Sequence, residues 1–216
     1  TLGFVTWLKE YCNLDINNIT VSVGNDPRVS ATRIKTVVIN ALRCVGVQVY
    51  DCMLSSTPAM FLTTSTLSCT GAIQITASHH PANRNGLKFF TADGGLSSDD
   101  ISQILDIASR GVFPPISKYG KVRQINTMRQ YCERLRNVIC NGIKSKENHN
   151  KPLSGFKIAV DAGNGAGGFF ANDVLKPLGA DISGSIFLEP DGTFPNHIPN
   201  PENKEAMEFI SKAVVD

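Results

Sequence analysis

Four side chains in this sequence have the types and spacing of a group-transfer site. Ser78 and His79 are adjacent, Lys88 follows ten residues after Ser78, and Arg28 closes an earlier Asp26-Pro27-Arg28 turn. A hydroxyl nucleophile, an imidazole able to move a proton and cations able to offset developing negative charge are the parts of acyl or phosphoryl transfer. Spacing alone does not separate the two reactions, and a polar loop with a chance Ser-His pair is the plainer alternative. Neighbouring residues on an extended chain point to opposite sides, so a direct Ser78–His79 pair needs a bend at that point.

The elements that must position these groups follow from apolar periodicity. Ile73, Ile75 and Ala77 alternate as in a half-buried strand, which ends at the Pro- and Asn-containing loop around Ser78; Gly86 then opens a returning apolar run that carries Lys88. Ile19 to Gly24 reads as an earlier strand ending in the Asn25-Asp26-Pro27 turn, so Arg28 reaches the Ser78 end of the sheet if the two strands run parallel. A guanidinium there could hold a phosphate bidentately. Between them Ser30 is placed to cap a helix bearing Ile34, Val37, Val38, Ala41 and Leu42, Val45 to Tyr50 reads as a strand, and Thr57-Pro58 starts a further helix. Strand, helix, strand, helix, strand predicts an α/β layer.

Farther along, Ser98-Asp99-Asp100 marks the start of a helix running to about Arg110, and a helical run from Asn126 to Cys140 is expected to close the first unit. Asn141 to Leu153 is polar and aperiodic and is read as the linker. The pattern restarts with a strand at Phe156 to Asp161, the glycine-rich Ala162 to Gly168, a helix to about Leu175, a strand ending near Leu188 and a helix over Asn203 to Asp216. Two domains are therefore expected, residues 1–147 and an incomplete second over 148–216.

The composition excludes several classes. Of 216 residues, 42% are hydrophobic and 19% charged, the net charge is +2, and no apolar run is long enough to span a bilayer. No basic block interleaved with aromatics suggests a nucleic-acid partner, and no membrane partner is expected. The six cysteines include no C-x-x-C pair, which favours reduced core thiols over zinc or disulfide chemistry. Gly163-x-Gly165-x-x-Gly168, with Glu189 about twenty residues on, satisfies the dinucleotide fingerprint and leaves an NAD-binding Rossmann-type domain open. His197 lacks a spaced partner and reads as structural rather than as a metal ligand.

Thr76-Ala77-Ser78-His79-His80-Pro81, followed by Asn85-Gly86-Leu87-Lys88-Phe89-Phe90, resembles the phosphoserine loop of the α-D-phosphohexomutases, with His80 in place of the usual Asn as in a plant-type branch. Arg28 matches the second Arg of that family's Gly-Arg-Asp-x-Arg turn, while Asn25 stands where the first Arg is usual. Val160 to Gly167 and Asp191 to Pro201 are similar to segments of the family's second domain. The resemblance runs from about Ile19 to the last residue. It implies a mixed α/β sheet sandwiched by helices, repeated in a second domain. It further implies an isomerase that interconverts hexose 1-phosphate and hexose 6-phosphate through a phosphoserine and a hexose 1,6-bisphosphate.

By that resemblance Ser78 relays the phosphoryl group and binds Mg²⁺ once phosphorylated, Lys88 and Arg28 offset charge, and His79 orients the loop or assists proton transfer. The family's Asp-x-Asp-x-Asp-Arg metal loop and Thr-Ser-Gly-Leu-Arg segment are not in this sequence. An N-terminal fragment with little activity of its own is therefore expected, soluble and intracellular, in cytoplasm or plastid. A noncatalytic truncated homologue is the remaining alternative.

Overall fold

The computed structural model describes residues 1–143 and 148–215, which separate into two compact units. The first unit comprises Thr1–Asp26, Ser30–Thr76 and Asn85–Thr127; the second comprises Pro27–Val29, Ala77–Arg84 and the chain from Met128 onward. No helix among the described residues is long and apolar enough to cross a membrane.

The first unit is built on a six-stranded mixed sheet. Its strands are β1 (Thr20–Asn25), β2 (Gln48–Leu54), β3 (Gly71–Ile75), β4 (Leu87–Thr91), β5 (Gly94–Gly95) and β6 (Val122–Gln124), in the order β5-β4-β3-β1-β2-β6. β1 runs parallel to both β2 and β3, and β6 is parallel to β2; β4 returns antiparallel to β3, and β5 to β4. Its helices are α1 (Leu2–Cys12), α2 (Ala31–Cys44), α3 (Thr57–Thr66) and α4 (Ser98–Arg110).

Alternation along the strands assigns the two faces. Val21, Val23, Val49, Ile73 and Ile75 meet Phe4 and Leu8 of α1, Val38 and Leu42 of α2, and Ile104 and Ile107 of α4. Ala72 and Cys52 face the other way, onto Met60 of α3 and Phe90 of β4. All five residues of β3 are buried, as a central strand covered on both faces requires. Lys35 of α2 pairs with Asp51 of β2 at 3.1 Å on the α2 face.

Several sequence-based expectations shift here. Helix α1 lies outside a reading that begins at Ile19, yet Phe4, Val5 and Leu8 are among the most buried residues of the unit. Ser97 rather than Ser98 caps α4, in a capping box in which Ser97 and Asp100 serve each other's backbone N–H. Ser30 precedes α2 but makes no side-chain cap; its hydroxyl donates to Asn85 Oδ1 instead.

The second unit contains α5 (Met128–Ile143), a single π-helical turn over Phe170–Leu175 and α6 (Lys204–Val215). Helix α5, expected to close a first domain of residues 1–147, packs within the second unit. Its stripe of Cys132, Leu135 and Ile139 meets Val174, Leu178 and Leu153. Part of the expected linker, residues 144–147, lies outside the described residues, as does Asp216. The expected strands over Phe156–Asp161 and up to Leu188 are extended segments that carry two isolated parallel bridges, Lys157 with Asp181 and Asp161 with Ile186, rather than a continuous ladder. The Ser183–Ser185 turn explains the break: Ser185 Oγ rather than a ladder carbonyl accepts from Val160 N–H at 3.1 Å.

Candidate active site

The expected parallel relation of β1 and β3 holds, and they are immediate neighbours, with Asn25 opposite Ile75. Asp26 N–H donates to Ile75 carbonyl at 3.0 Å, and Thr76 N–H donates to Gly86 carbonyl at 3.0 Å across the β3–β4 hairpin. The loop that begins at Ala77 and the Pro27–Val29 segment group in the second unit.

Ser78 is exposed and sits at φ 56°, the left-handed region that costs a non-glycine residue about 1–2 kcal/mol. This supplies the bend that a Ser78–His79 pair needs. His80 N–H closes the turn onto Ala77 carbonyl at 3.1 Å, and Arg84 N–H closes the next onto Pro81 carbonyl at 3.0 Å. The rings of His79 and His80 stack, with centroids 4.8 Å apart and planes 24° apart. Both imidazoles are exposed.

Arg28 occupies the centre of this loop. Its Nη2 donates to the carbonyls of Ser78 (3.0 Å) and His80 (2.7 Å), and its Nη1 donates to those of Pro81 (2.5 Å) and Arg84 (3.0 Å). The residue is 2% exposed. A phosphate-holding Arg presents its forked N–H donors to a ligand; here that fork is engaged with backbone, so Arg28 shapes the loop from within. Phe194 covers its guanidinium, 5.2 Å from the ring centroid, and Gly192 bridges to Arg28 through backbone in parallel. Phe194 and Gly192 are the site residues that sequence reasoning missed. The Gly-x-Phe spacing was legible, but only as part of a turn-dense loop.

Lys88 lies in the first unit on β4, opposite Gln74, with its side chain exposed. The structure thus brings together Arg28, Ser78 and His80 around one loop, with His79 beside Ser78, and places Lys88 on a strand of the first unit. The Mg²⁺ expected on Ser78 requires further oxygen ligands. Among the described residues no group of three or more His, Cys, Asp or Glu could hold a metal ion, so the residues present do not make a Mg²⁺ site on their own.

The glycine-rich turn does not have the features of a dinucleotide site. Its first N–H groups serve the protein itself: Gly163 to Asp161 Oδ1 (2.8 Å), Asn164 to Phe187 carbonyl (2.9 Å) and Gly165 to Ala162 carbonyl (2.8 Å). A Cβ on Gly168 would come within 1.8 Å of Leu188 carbonyl oxygen, which explains that glycine by close packing. The turn leads into one π-helical turn rather than the helix N-terminus that holds a pyrophosphate. His197 is structural: Nε2 faces Asp161 at 3.0 and 3.1 Å, Nδ1 faces Ile198 carbonyl at 2.9 Å, and the ring packs on Phe187 and Phe209.

Comparison with known proteins bears on both units. The family described as phosphoglucomutase/phosphomannomutase, alpha/beta/alpha domain I, matches residues 1–113, and its domain II counterpart matches residues 129–216. A phosphomannomutase of Escherichia coli is 33% identical over 202 residues, covering 90% of this chain and 42% of that protein. A phosphomannomutase/phosphoglucomutase of Pseudomonas syringae pv. tomato is 30% identical over 194 residues, covering 90% of this chain and 39% of that protein. The solved structure of a phosphoglucomutase/phosphomannomutase family protein from Burkholderia thailandensis matches with a TM-score of 0.76 at 26% identity, over 98% of this chain and 44% of that one. The chain spans less than half the length of the curated relatives it matches.

Proposed function

Because the chain belongs to the phosphoglucomutase/phosphomannomutase family, we propose that it is the phosphoryl-carrying part of a hexose-phosphate mutase, with Ser78 as the carrier. The observation behind this reading is the loop itself. An exposed serine stands at a left-handed bend, inside the stretch matched as domain I, in a loop whose carbonyls converge on a buried guanidinium. Strain of this kind persists where the surroundings over-determine it, and it collects at functional sites.

In the proposed cycle, phosphorylated Ser78 gives its phosphoryl group to a hydroxyl of a hexose phosphate. The Ser78 Oγ–P bond breaks, a P–O bond to the sugar forms, the sugar hydroxyl proton passes to a base, a role that falls to His79, and the released Oγ takes up a proton to become the serine hydroxyl. The resulting hexose 1,6-bisphosphate reorients and returns its other phosphoryl group to Ser78: the sugar O–P bond breaks, the Oγ–P bond forms again as Oγ loses its proton, the sugar oxygen takes up a proton, and the isomeric hexose phosphate leaves. Phosphoryl transfer asks the protein mainly for positioning and charge neutralisation. Lys88 is assigned to charge neutralisation and Arg28 to holding the loop in shape. Glucose and mannose phosphates are both proposed substrates, following the names of the relatives. The reaction is proposed to run inside the cell, in cytoplasm or plastid, where a charged sugar phosphate that does not cross a bilayer unaided is retained.

The test is intact-mass and peptide mass spectrometry after incubation with a hexose 1,6-bisphosphate and Mg²⁺, with Ser78→Ala as control. One phosphoryl group on Ser78, missing in the control, is the expected result. Its absence both from this chain and from a longer protein containing it overturns the carrier role in favour of a noncatalytic homologue.

A further inference from the structure

We infer that Phe194 is a positioning residue for the Ser78 loop and acts through Arg28. The chemical part of this inference rests on the mutase reading above; the geometric part does not. The two Nη groups of Arg28 donate to the carbonyls of Ser78, His80, Pro81 and Arg84. The face of the same guanidinium meets Phe194, at 5.2 Å from the ring centroid. An aromatic face attracts a cation through its quadrupole, most strongly where water is excluded, and Arg28 is 2% exposed.

Phe194 is itself held in place. Gly192, two residues earlier, bridges to Arg28 in parallel, and a Cβ there would meet Pro27 carbonyl oxygen at 2.1 Å and Arg28 Cα at 2.6 Å. The two backbones therefore lie at a separation that only glycine permits. Asp191 stiffens the intervening turn: its Oδ1 accepts from Thr193 N–H at 2.9 Å and from Thr193 Oγ1 at 2.7 Å. Backbone contact fixes the ring, the ring fixes the plane of the guanidinium, and that plane sets the point on which four loop carbonyls converge. Removing the ring frees the guanidinium to tilt. The left-handed bend at Ser78 then loses part of what holds it.

Hydrogen–deuterium exchange of the 77–85 peptide tests this in the whole chain, since the N–H groups of His80 and Arg84 are closed onto Ala77 and Pro81. Phe194→Ala and Phe194→Leu should both speed exchange there about fivefold, while Phe194→Tyr, which keeps the aromatic face, should stay within about twofold of wild type. Exchange in the 20–25 peptide of β1 reports any general loss of structure and should not change. If Phe194→Leu protects the loop as well as wild type does, Phe194 acts by apolar volume alone and the inference fails; it fails equally if Phe194→Ala leaves the loop unchanged.

Phosphate transfer to Ser78 supplies a second, separable readout. With wild type competent, Phe194→Leu should slow phosphorylation about fivefold without moving the bisphosphate concentration at half-maximal rate. If wild type takes no phosphate the mutase reading falls, and the exchange result still decides the role of Phe194.

Discussion

Exchanging Ser78 for glycine and, separately, for alanine isolates the backbone conformation at the centre of the site. Both variants lose the hydroxyl, so whatever it touches cancels in the comparison. At an ordinary position glycine is the less stable of the two by about 0.5–1 kcal/mol, because it loses more chain entropy on folding. At φ 56° alanine carries in addition a left-handed penalty of about 1–2 kcal/mol that glycine escapes. The difference therefore reverses sign, and Ser78→Gly should be more stable than Ser78→Ala by about 0.5–1 kcal/mol. In urea unfolding followed by circular dichroism this is a midpoint shift of roughly 0.2–1 M. Ala77, one residue earlier and buried, is not in the left-handed region, so Ala77→Gly should be destabilising. Equal stability of the two Ser78 variants, or a more stable alanine variant, would refute the strained bend and with it the structural support for Ser78 as a specially held residue.

Other expectations can be checked alongside. Phe4 is fully buried between α1 and the sheet, so Phe4→Ala should cost about 3–5 kcal/mol in urea unfolding, as a core residue of an integral helix would. Gly192→Ala forces a methyl to 2.1 Å from Pro27 carbonyl oxygen and should destabilise by about 1–3 kcal/mol through overpacking, measured the same way. Burial raises the Cys52 thiol from 9.0 to about 12 and the Cys69 thiol from 9.0 to about 11. Both should therefore resist thiol reagents in the native protein. The unfolded chain ionises first, so the stability that their neutral burial contributes is present below pH 9.0 and falls as pH rises towards those values. Unfolding midpoints between neutral and alkaline pH, with Cys52→Ala as comparison, should show the slope reduced in the variant.

Much of the fold was legible because its signals are local. Alternation over β1 and β3, Pro58 at the start of α3 and the acids at the start of α4 each act within a few residues. What was not legible depends on partners distant in sequence. Ser30 looks like a helix cap, but Asn85 takes its hydroxyl from 55 residues away. The stripe on α5 announces an apolar face without naming what it packs on, which is Val174, Leu178 and Leu153. Strand β6 is three exposed residues long, too short to alternate. At the site, sequence could bring Arg28 and Ser78 to one end of a parallel pair, but not show that the guanidinium turns towards the loop's own carbonyls. Phe194 remained hidden for the same reason, since its role exists only once Arg28 is in place.

The strand order of the first unit also bears on how this protein behaves at high concentration. Long, flat edge strands offer unpaired N–H and C=O groups on which a second chain can add. Here the inner strands β4, β3, β1 and β2 are flanked at one end by β5, only two residues long, and at the other by β6, three residues long and preceded by Lys121. Short border strands of this kind give a foreign strand little to pair with, which disfavours growth of the sheet from molecule to molecule. The two least conspicuous strands thereby guard the sheet against aggregation.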